Sequence, residues 1–371
     1  MKSGQNWYEV VNISEVPSPA LLVYPDRIES NIRKMVEIAG DVTRLRPHVK
    51  THKMPEIIKL QIKHNIKKFK CSTIAEAEMS AKSGAPDILL ALQPVGPNVE
   101  RFFTLKQKFP NTKFSCITDT EEVIRLLAES AVRFGLETHL WLDINNGMNR
   151  TGITPDEKAA ALYELISSLP MLKAEGLHVY DGHIRDRDFS LRKKKSDEGF
   201  DKVYKLAEKL GKSSNHTINI VAGGSPTFRI HALREGVECS PGTVLLWDYG
   251  YSSSLPDMDF LHSAVLMTRV VSKPDKEIIC LDLGHKAVGS EMPHPRIIFM
   301  GFGDYSIANH SEEHMAIKFP GSEKINVGDV LYGIPWHICP TVDRHDFVTV
   351  VEENHARDKW MVEARSRMIT I

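Results

Sequence analysis

The stretch Arg46-Pro47-His48-Val49-Lys50-Thr51-His52-Lys53 reads as the end of a buried strand that carries charge where apolar side chains are the rule. Alternate residues of a strand face opposite sides. Leu45, Pro47 and Val49 share one face, and Arg44, Arg46, His48 and Lys50 share the other. The apolar face suits a layer of helices, so the cationic face turns toward the interior of a curled sheet. Lys50 then stands at the carboxyl end of its strand, where barrel sites are built. A lysine held there loses its proton readily, and a neutral amine forms a Schiff base.

The surrounding pattern predicts what sheet this is. Short apolar strands are expected at 20–24, 44–50, 67–72, 87–92, 113–118, 138–144, 174–180 and 217–222. Helical patterns lie at 27–39, 55–64, 75–83, 121–134, 155–168 and 187–210. Eight strands alternating with helices predict an α/β fold, a (β/α)8 TIM barrel over 19–245, rather than a doubly wound open sheet. Two further strands alternate like the first. His178 and Tyr180 oppose Leu177 and Val179, while His139, Trp141 and Asp143 oppose Leu140 and Leu142. Three strands therefore send polar or aromatic groups to one side.

Near Trp247 the rhythm changes to strands without long helices, at 263–271, 277–281, 295–300, 329–332 and 347–352, punctuated by Gly and Pro. These predict a separate, mostly β domain over 246–371. Residues 1–18 are assigned to it, with 7–13 as a joining segment. Two turns near the end of the barrel region suit a phosphate: Gly223-Gly224-Ser225-Pro226-Thr227 and Ser240-Pro241-Gly242-Thr243. Glycine allows close backbone approach, and Ser and Thr hydroxyls donate to phosphate oxygens.

Composition narrows the partners. The 371 residues are 42% hydrophobic, with 47 Lys+Arg against 48 Asp+Glu. That balance argues against nucleic acid or an anionic membrane as the main partner. The run Arg192-Lys193-Lys194-Lys195 reads as a solvated helix face. Five scattered cysteines do not make a disulfide framework. No secretory h-region and no apolar run of ~18 residues is present, so the cytoplasm is the expected compartment.

His337-Ile338-Cys339 is a candidate metal pair. On a strand, residues two apart face the same way. A thiolate with an imidazole favours zinc over magnesium or manganese, and two protein ligands leave positions open for water or substrate.

Four motifs together carry a resemblance: residues 46–53, Gly147-Met148-Asn149-Arg150-Thr151-Gly152, Ser240-Pro241-Gly242-Thr243, and Pro335-Trp336-His337-Ile338-Cys339. In their order and spacing the chain resembles the fold-type III pyridoxal phosphate enzymes, the alanine racemase-like group, and within it the D-threonine aldolase and D-serine dehydratase branch. The resemblance implies that Lys50 binds pyridoxal 5'-phosphate covalently, with Lys53 its rival inside the motif, and that His48 lies beside it. It implies that Arg150 meets the cofactor's phenolic oxygen and that Tyr180 lies beside the ring. His183 is a further catalytic candidate. Ser225, Thr227, Ser240, Gly242 and Thr243 fall to cofactor binding, and His337 and Cys339 to Zn2+ or another divalent metal. A homodimer is implied, with the β domain of one subunit near the barrel of the other.

Ser240 stands where alanine racemases usually place an arginine opposite the pyridine nitrogen, and the racemase's tyrosine on the β domain has no clear counterpart. The resemblance therefore implies a lyase on β-hydroxy-D-amino acids. Such an enzyme takes D-serine to pyruvate and ammonia, or D-threonine to glycine and acetaldehyde. His-x-Cys leans toward the dehydratase, since aldolase-type members more often place a carboxylate as the second ligand. Racemisation and a non-catalytic cofactor carrier are the alternatives. Asp343, the stretch 282–286, Glu313 and His314 stay open.

Overall fold

The computed structural model describes residues 6–371. Seven parallel strands follow one another in chain order: Lys68–Cys71, Asp87–Leu90, Lys113–Thr118, Thr138–Ile144, Leu172–Val179, Asn219–Ala222 and Val237–Cys239. Residues 45–48 bridge the last of these to the first, through Leu45 with Cys239 and His48 with Lys70. The Arg46 N–H donates to the Cys239 carbonyl, and the Lys70 N–H to the Pro47 carbonyl, both at 2.9 Å. Pro47 has no N–H to return, so pairing there is reduced to single bridges. The quoted stretch is thus the stave that closes the curled sheet into a ring. Helices cover the outside. Thr73, Thr120, Asp156 and Asp188 cap them by accepting from backbone N–H groups of the first turn.

One strand belongs elsewhere. The expected first barrel strand, Ala20–Val23, lies antiparallel to Ala264–Asp275 and parallel to Phe347–Glu352. All four of its residues are buried. A short apolar run buried on both faces has the same pattern in either sheet, so it does not name its partners. The eighth stave is instead the three-residue Val237–Cys239, too short to stand out beside the phosphate turn. Ala20–Val23 joins a nine-stranded C-terminal sheet with Ile278–Leu281, Ile297–Phe299, Ser306–His310, Met315–Lys318, Val330–Pro335 and His355–Met361. Residues 7–13 form no strand, but Trp7, Tyr8 and Ile13 pack on Val265, Met267 and Ile334 of that sheet. No helix among the described residues is long and apolar enough to cross a membrane.

The ring's interior is layered. Leu89, Ile117, Trp141 and Val221 form a small apolar plug. Arg46 lies above Trp141, 5.5 Å from its ring, and is paired with Asp87 at 2.6 Å and Glu238 at 2.7 Å. Burial opposes its charge, but the two carboxylates outweigh burial and hold Arg46 ionised.

Candidate active site

Of the strand expected at 44–50 only residues 45–48 pair, with turns of 3-10 helix at Val42–Arg44 and Val49–Thr51, and Arg44, expected to face inward, instead donates to backbone carbonyls of His231, Ala232, Arg234 and Val237. His48 is buried, and its Nε2 meets the Ser72 hydroxyl at 3.0 Å. Burial, then the charges of Lys50 and Lys70, push its imidazole well below the usual range, so it is neutral. The chain then turns into the one-turn helix Val49–Thr51. Lys50 leaves that turn half-buried, its Nζ 5.7 Å from the Tyr180 ring centroid. Lys53 goes elsewhere. Its Nζ binds Asp343 at 2.5 Å, with Glu76 at 3.8 Å. Of the two lysines in the motif, only Lys50 reaches Tyr180.

Tyr180 collects cations. The Arg150 guanidinium is 4.8 Å from its ring and the Lys70 amine 5.7 Å. Lys70 was not singled out from the sequence, although it shares an inward face with Lys68 on its strand. Beside it, His178 Nδ1 and Asp143 Oδ1 are 2.7 Å apart. Burial favours a neutral Asp143, but the hydrogen bond and charge of His178 outweigh it and hold the carboxyl below its ordinary range. His183 lies further out and is exposed; a Cβ on Gly147 would meet its Nε2 at 3.3 Å. It has no hydrogen-bond partner among the described residues.

The two glycine turns meet at Ser225. A Cβ on Gly224 would be 3.1 Å from the Tyr180 ring, and one on Gly242 2.9 Å from the His48 carbonyl. The N–H groups of Gly242 and Thr243 both donate to Ser225 Oγ, at 3.3 and 3.1 Å. The N–H groups of Ser225 and Thr227, in buried residues, have no partner among the described residues. Unpaired buried donors are costly, and converging backbone N–H groups make an anion cradle. The donor set fits the phosphate of pyridoxal phosphate.

Two hydroxyls expected there are committed elsewhere. The Thr227 hydroxyl donates to Asp181 Oδ1 at 2.7 Å. Burial works to neutralise Asp181, but His231 at 2.8 Å and the Thr227 bond hold it ionised, so it can only accept. Thr227 therefore offers its backbone N–H. Ser240 donates its hydroxyl to the Arg46 carbonyl at 2.8 Å and ties the closing stave to the phosphate turn. Gly223 sits at φ +73°, and a Cβ there would lie 2.4 Å from the His231 ring and 2.8 Å from Thr227 Oγ1. Gly223→Ala is expected to weaken pyridoxal phosphate binding about tenfold or more, read by absorbance titration.

The C-terminal domain adds the metal pair. His337 ends the strand Val330–Pro335 by a one-residue gap and caps the short helix Ile338–Val342, which carries Cys339. The pair therefore stands at a strand-to-helix corner, not on a strand as expected. Burial works against charge on both side chains, but each lies near enough to the other to raise the His337 imidazole and lower the Cys339 thiol. Cys339 Sγ lies 3.2 Å from Thr51 Oγ1 and 3.7 Å from Thr243 Oγ1. Within one chain, then, the pair touches both the lysine turn and the phosphate turn. His337 Nδ1 meets Glu291 at 2.5 Å, a carboxylate partner typical of a metal-binding imidazole. Among the described residues no group of three or more His, Cys, Asp or Glu side chains gathers to hold a metal. A thiol and an imidazole fit zinc with open positions. Glu312 and Glu313 pair with Lys286 at the surface.

Comparison with known proteins decides the family. Residues 23–250 match the family model of the alanine racemase N-terminal domain. The chain belongs to this family. Residues 263–351 match a second model, described as "Putative serine dehydratase domain". A D-threonine aldolase of Arthrobacter sp. is 28% identical over 95% of this chain and 94% of its own length. A 3-hydroxy-D-aspartate aldolase of Paracoccus denitrificans (strain Pd 1222) is 25% identical over 95% and 93%. The crystal structure of a D-threonine aldolase from Filomicrobium marinum superposes with a TM-score of 0.88 at 25% identity, covering 95% of this chain and 97% of that one. The protein is an enzyme of the lyase branch of this fold-type III family, and its fold, a barrel with a C-terminal β domain, is the alanine racemase-like one.

Proposed function

We propose that this lyase acts on β-hydroxy-D-amino acids, with pyridoxal phosphate at the barrel mouth and a divalent metal, zinc first, on His337 and Cys339. The observation that carries the reading is the contact of Cys339 with Thr51 and Thr243. It brings a metal-ligating pair to the residue beside Lys50 and to the phosphate turn at once. A lyase that needs both an amine-holding site and a Lewis acid needs them this close, since its substrate carries its amine and its β-oxygen on adjacent carbons.

The bound cofactor supplies an electron sink for the bonds at the substrate's α carbon. The chain does the rest. Lys50 would hold the cofactor, and its amine, when free, would serve as a base near that carbon. The free amides of Ser225 and Thr227 would hold the phosphate, beside the Ser225 hydroxyl that the Gly242 and Thr243 N–H groups position. Arg150 and Tyr180 border the ring. His337 and Cys339 would hold the metal, whose chemistry there would be to polarise a β-oxygen.

Cleavage between the α and β carbons, giving glycine and an aldehyde, is the first reading, because the likeness to aldolases runs along nearly the whole chain. Dehydration to a keto acid and ammonia is the second, favoured by Cys339 as the second ligand and by the residues 263–351. Those residues also weigh against a bare cofactor carrier. A racemase has no use for a metal beside the site. The reading carries with it a homodimer.

Product analysis on D-threonine and D-serine tests it. Aldehyde from D-threonine or pyruvate from D-serine is expected. Chelation is expected to lower either activity by on the order of 10² or more, with recovery on adding zinc. Full activity after chelation, with no metal found by elemental analysis, removes the metal from the reading. Exchange of the α proton without bond cleavage turns it to racemisation.

A further inference from the structure

Among the described residues three lysines are buried: Lys53, Lys70 and Lys106. A buried ammonium needs partners. Lys53 has Asp343 and Glu76. Lys106 donates to the Glu137 carbonyl and the Thr138 hydroxyl, both at 2.7 Å. Lys70, 2% exposed, has one hydrogen-bond contact among the described residues, the His178 Nε2 at 3.5 Å, with the charges of Lys50, Arg46, Asp143 and Asp181 further off. No carboxylate lies within ion-pair distance of it among the described residues.

Its surroundings hold it ready. Its backbone is pinned on both sides, by the Pro47 carbonyl and by the strand Asp87–Leu90. His178 gives its Nδ1 hydrogen to the Asp143 carboxylate, which leaves Nε2 as a bare acceptor facing Lys70. That contact orients the amine and leaves its other hydrogens free. Tyr180 lies 5.7 Å away, at the same distance as from Lys50.

We propose that Lys70 is a second lysine of the cofactor pocket, a binding residue whose amine donates to an acceptor atom of bound pyridoxal phosphate and finds there the partner the protein does not provide. The inference rests on the reading that this cofactor occupies the barrel mouth. Burial, helped by the charge of Lys50, pushes the Lys70 amine down to about 7. It can therefore sit uncharged in the empty pocket and take up its proton beside an anionic ligand.

Lys70→Met and Lys70→Gln test it in the full chain, with three readouts. These are the dissociation constant for pyridoxal phosphate, the melting temperature of the cofactor-free protein, and the lysine modified when the holoenzyme is reduced with borohydride and mapped by peptide mass. Lys70→Met is expected to bind the cofactor about tenfold or more weakly than the wild type. Lys70→Gln, which keeps a donor, should fall between them. The cofactor-free melting temperature should hold or rise, because an unpartnered buried amine has been removed. The modified residue should remain Lys50.

Equal dissociation constants in all three proteins overturn the role of Lys70 and leave the proposed function standing. So does a fall in cofactor-free melting temperature at unchanged affinity, which marks a structural lysine. Modification of Lys70 itself overturns both this role and the assignment of Lys50. A wild type that takes up no cofactor overturns the proposed function and this inference with it.

Discussion

Lys50→Ala is expected to leave a folded protein that holds no cofactor covalently and turns over D-threonine or D-serine slower by on the order of 10⁴ or more. The size follows from the two tasks proposed for the residue, since one amine would both anchor the cofactor and return as a base. The intact fold follows from its place. Lys50 is half-buried in a single turn of helix, its amine faces Tyr180, and among the described residues it holds no ion pair whose loss would strand a carboxylate. Lys53→Ala is the control, and it should do the opposite. The cofactor stays attached, while the protein loses stability because Glu76, 1% exposed, loses a cation. Borohydride reduction with peptide mapping, beside a melting curve, separates the two. A Lys50→Ala protein that still carries covalent cofactor ends the assignment.

Arg46→Met is expected to be the most destabilising single change in the barrel, by about 3 kcal/mol or more. Arg46 is buried and bonded to Asp87 and Glu238, carboxylates that are themselves mostly enclosed. Removing the cation leaves them without their charge partner. Lys68 also bonds Glu238 and spares part of the cost, so Asp87 is the residue left worst off. Arg46 sits on the stave that closes the ring, so the loss falls where pairing is already thin around Pro47. Denaturant unfolding measures it. Replacing Asp87 and Glu238 with leucine alongside Arg46→Met should restore much of the loss, since an apolar cluster of similar volume is often as stable as a buried ion network. No loss in the single variant would show that the network adds nothing to the ring.

Period-two alternation carried most of the site. It sent Arg44, Arg46, His48 and Lys50 one way and Leu45, Pro47 and Val49 the other; it holds for residues 45–48, while Arg44 turns to backbone carbonyls outside the ring and Lys50 reaches the site from a turn of helix. The glycine turns were legible because few other residues allow so close an approach to Tyr180. What stayed hidden has physical reasons. Val237–Cys239 is too short to show a period. Ala20–Val23 is buried on both faces and looks the same in either sheet. The hydroxyls of Thr227 and Ser240 looked available for phosphate, and only the folded chain shows Asp181 and the Arg46 carbonyl taking their hydrogens. Lys70 went unread because Lys68-Phe69-Lys70 resembles a solvated strand edge until the ring closes around it.

The pairing of Ala20–Val23 with strands from the far end of the chain has a consequence during synthesis. This strand leaves the ribosome first and finds nothing to pair with. Every stave of the barrel, through Cys239, is made before Ala264 exists. Leu22 must wait for Thr349 before both its flanks are covered. The barrel can close early, but an apolar ribbon stays open beside it until Thr349 and Val350 are made, and long-range pairing of this kind is slow and prone to clumping. A nascent chain stalled before residue 347 therefore exposes this ribbon, and chaperone occupancy on such stalled chains should drop when the ribbon's apolar residues are exchanged for threonine.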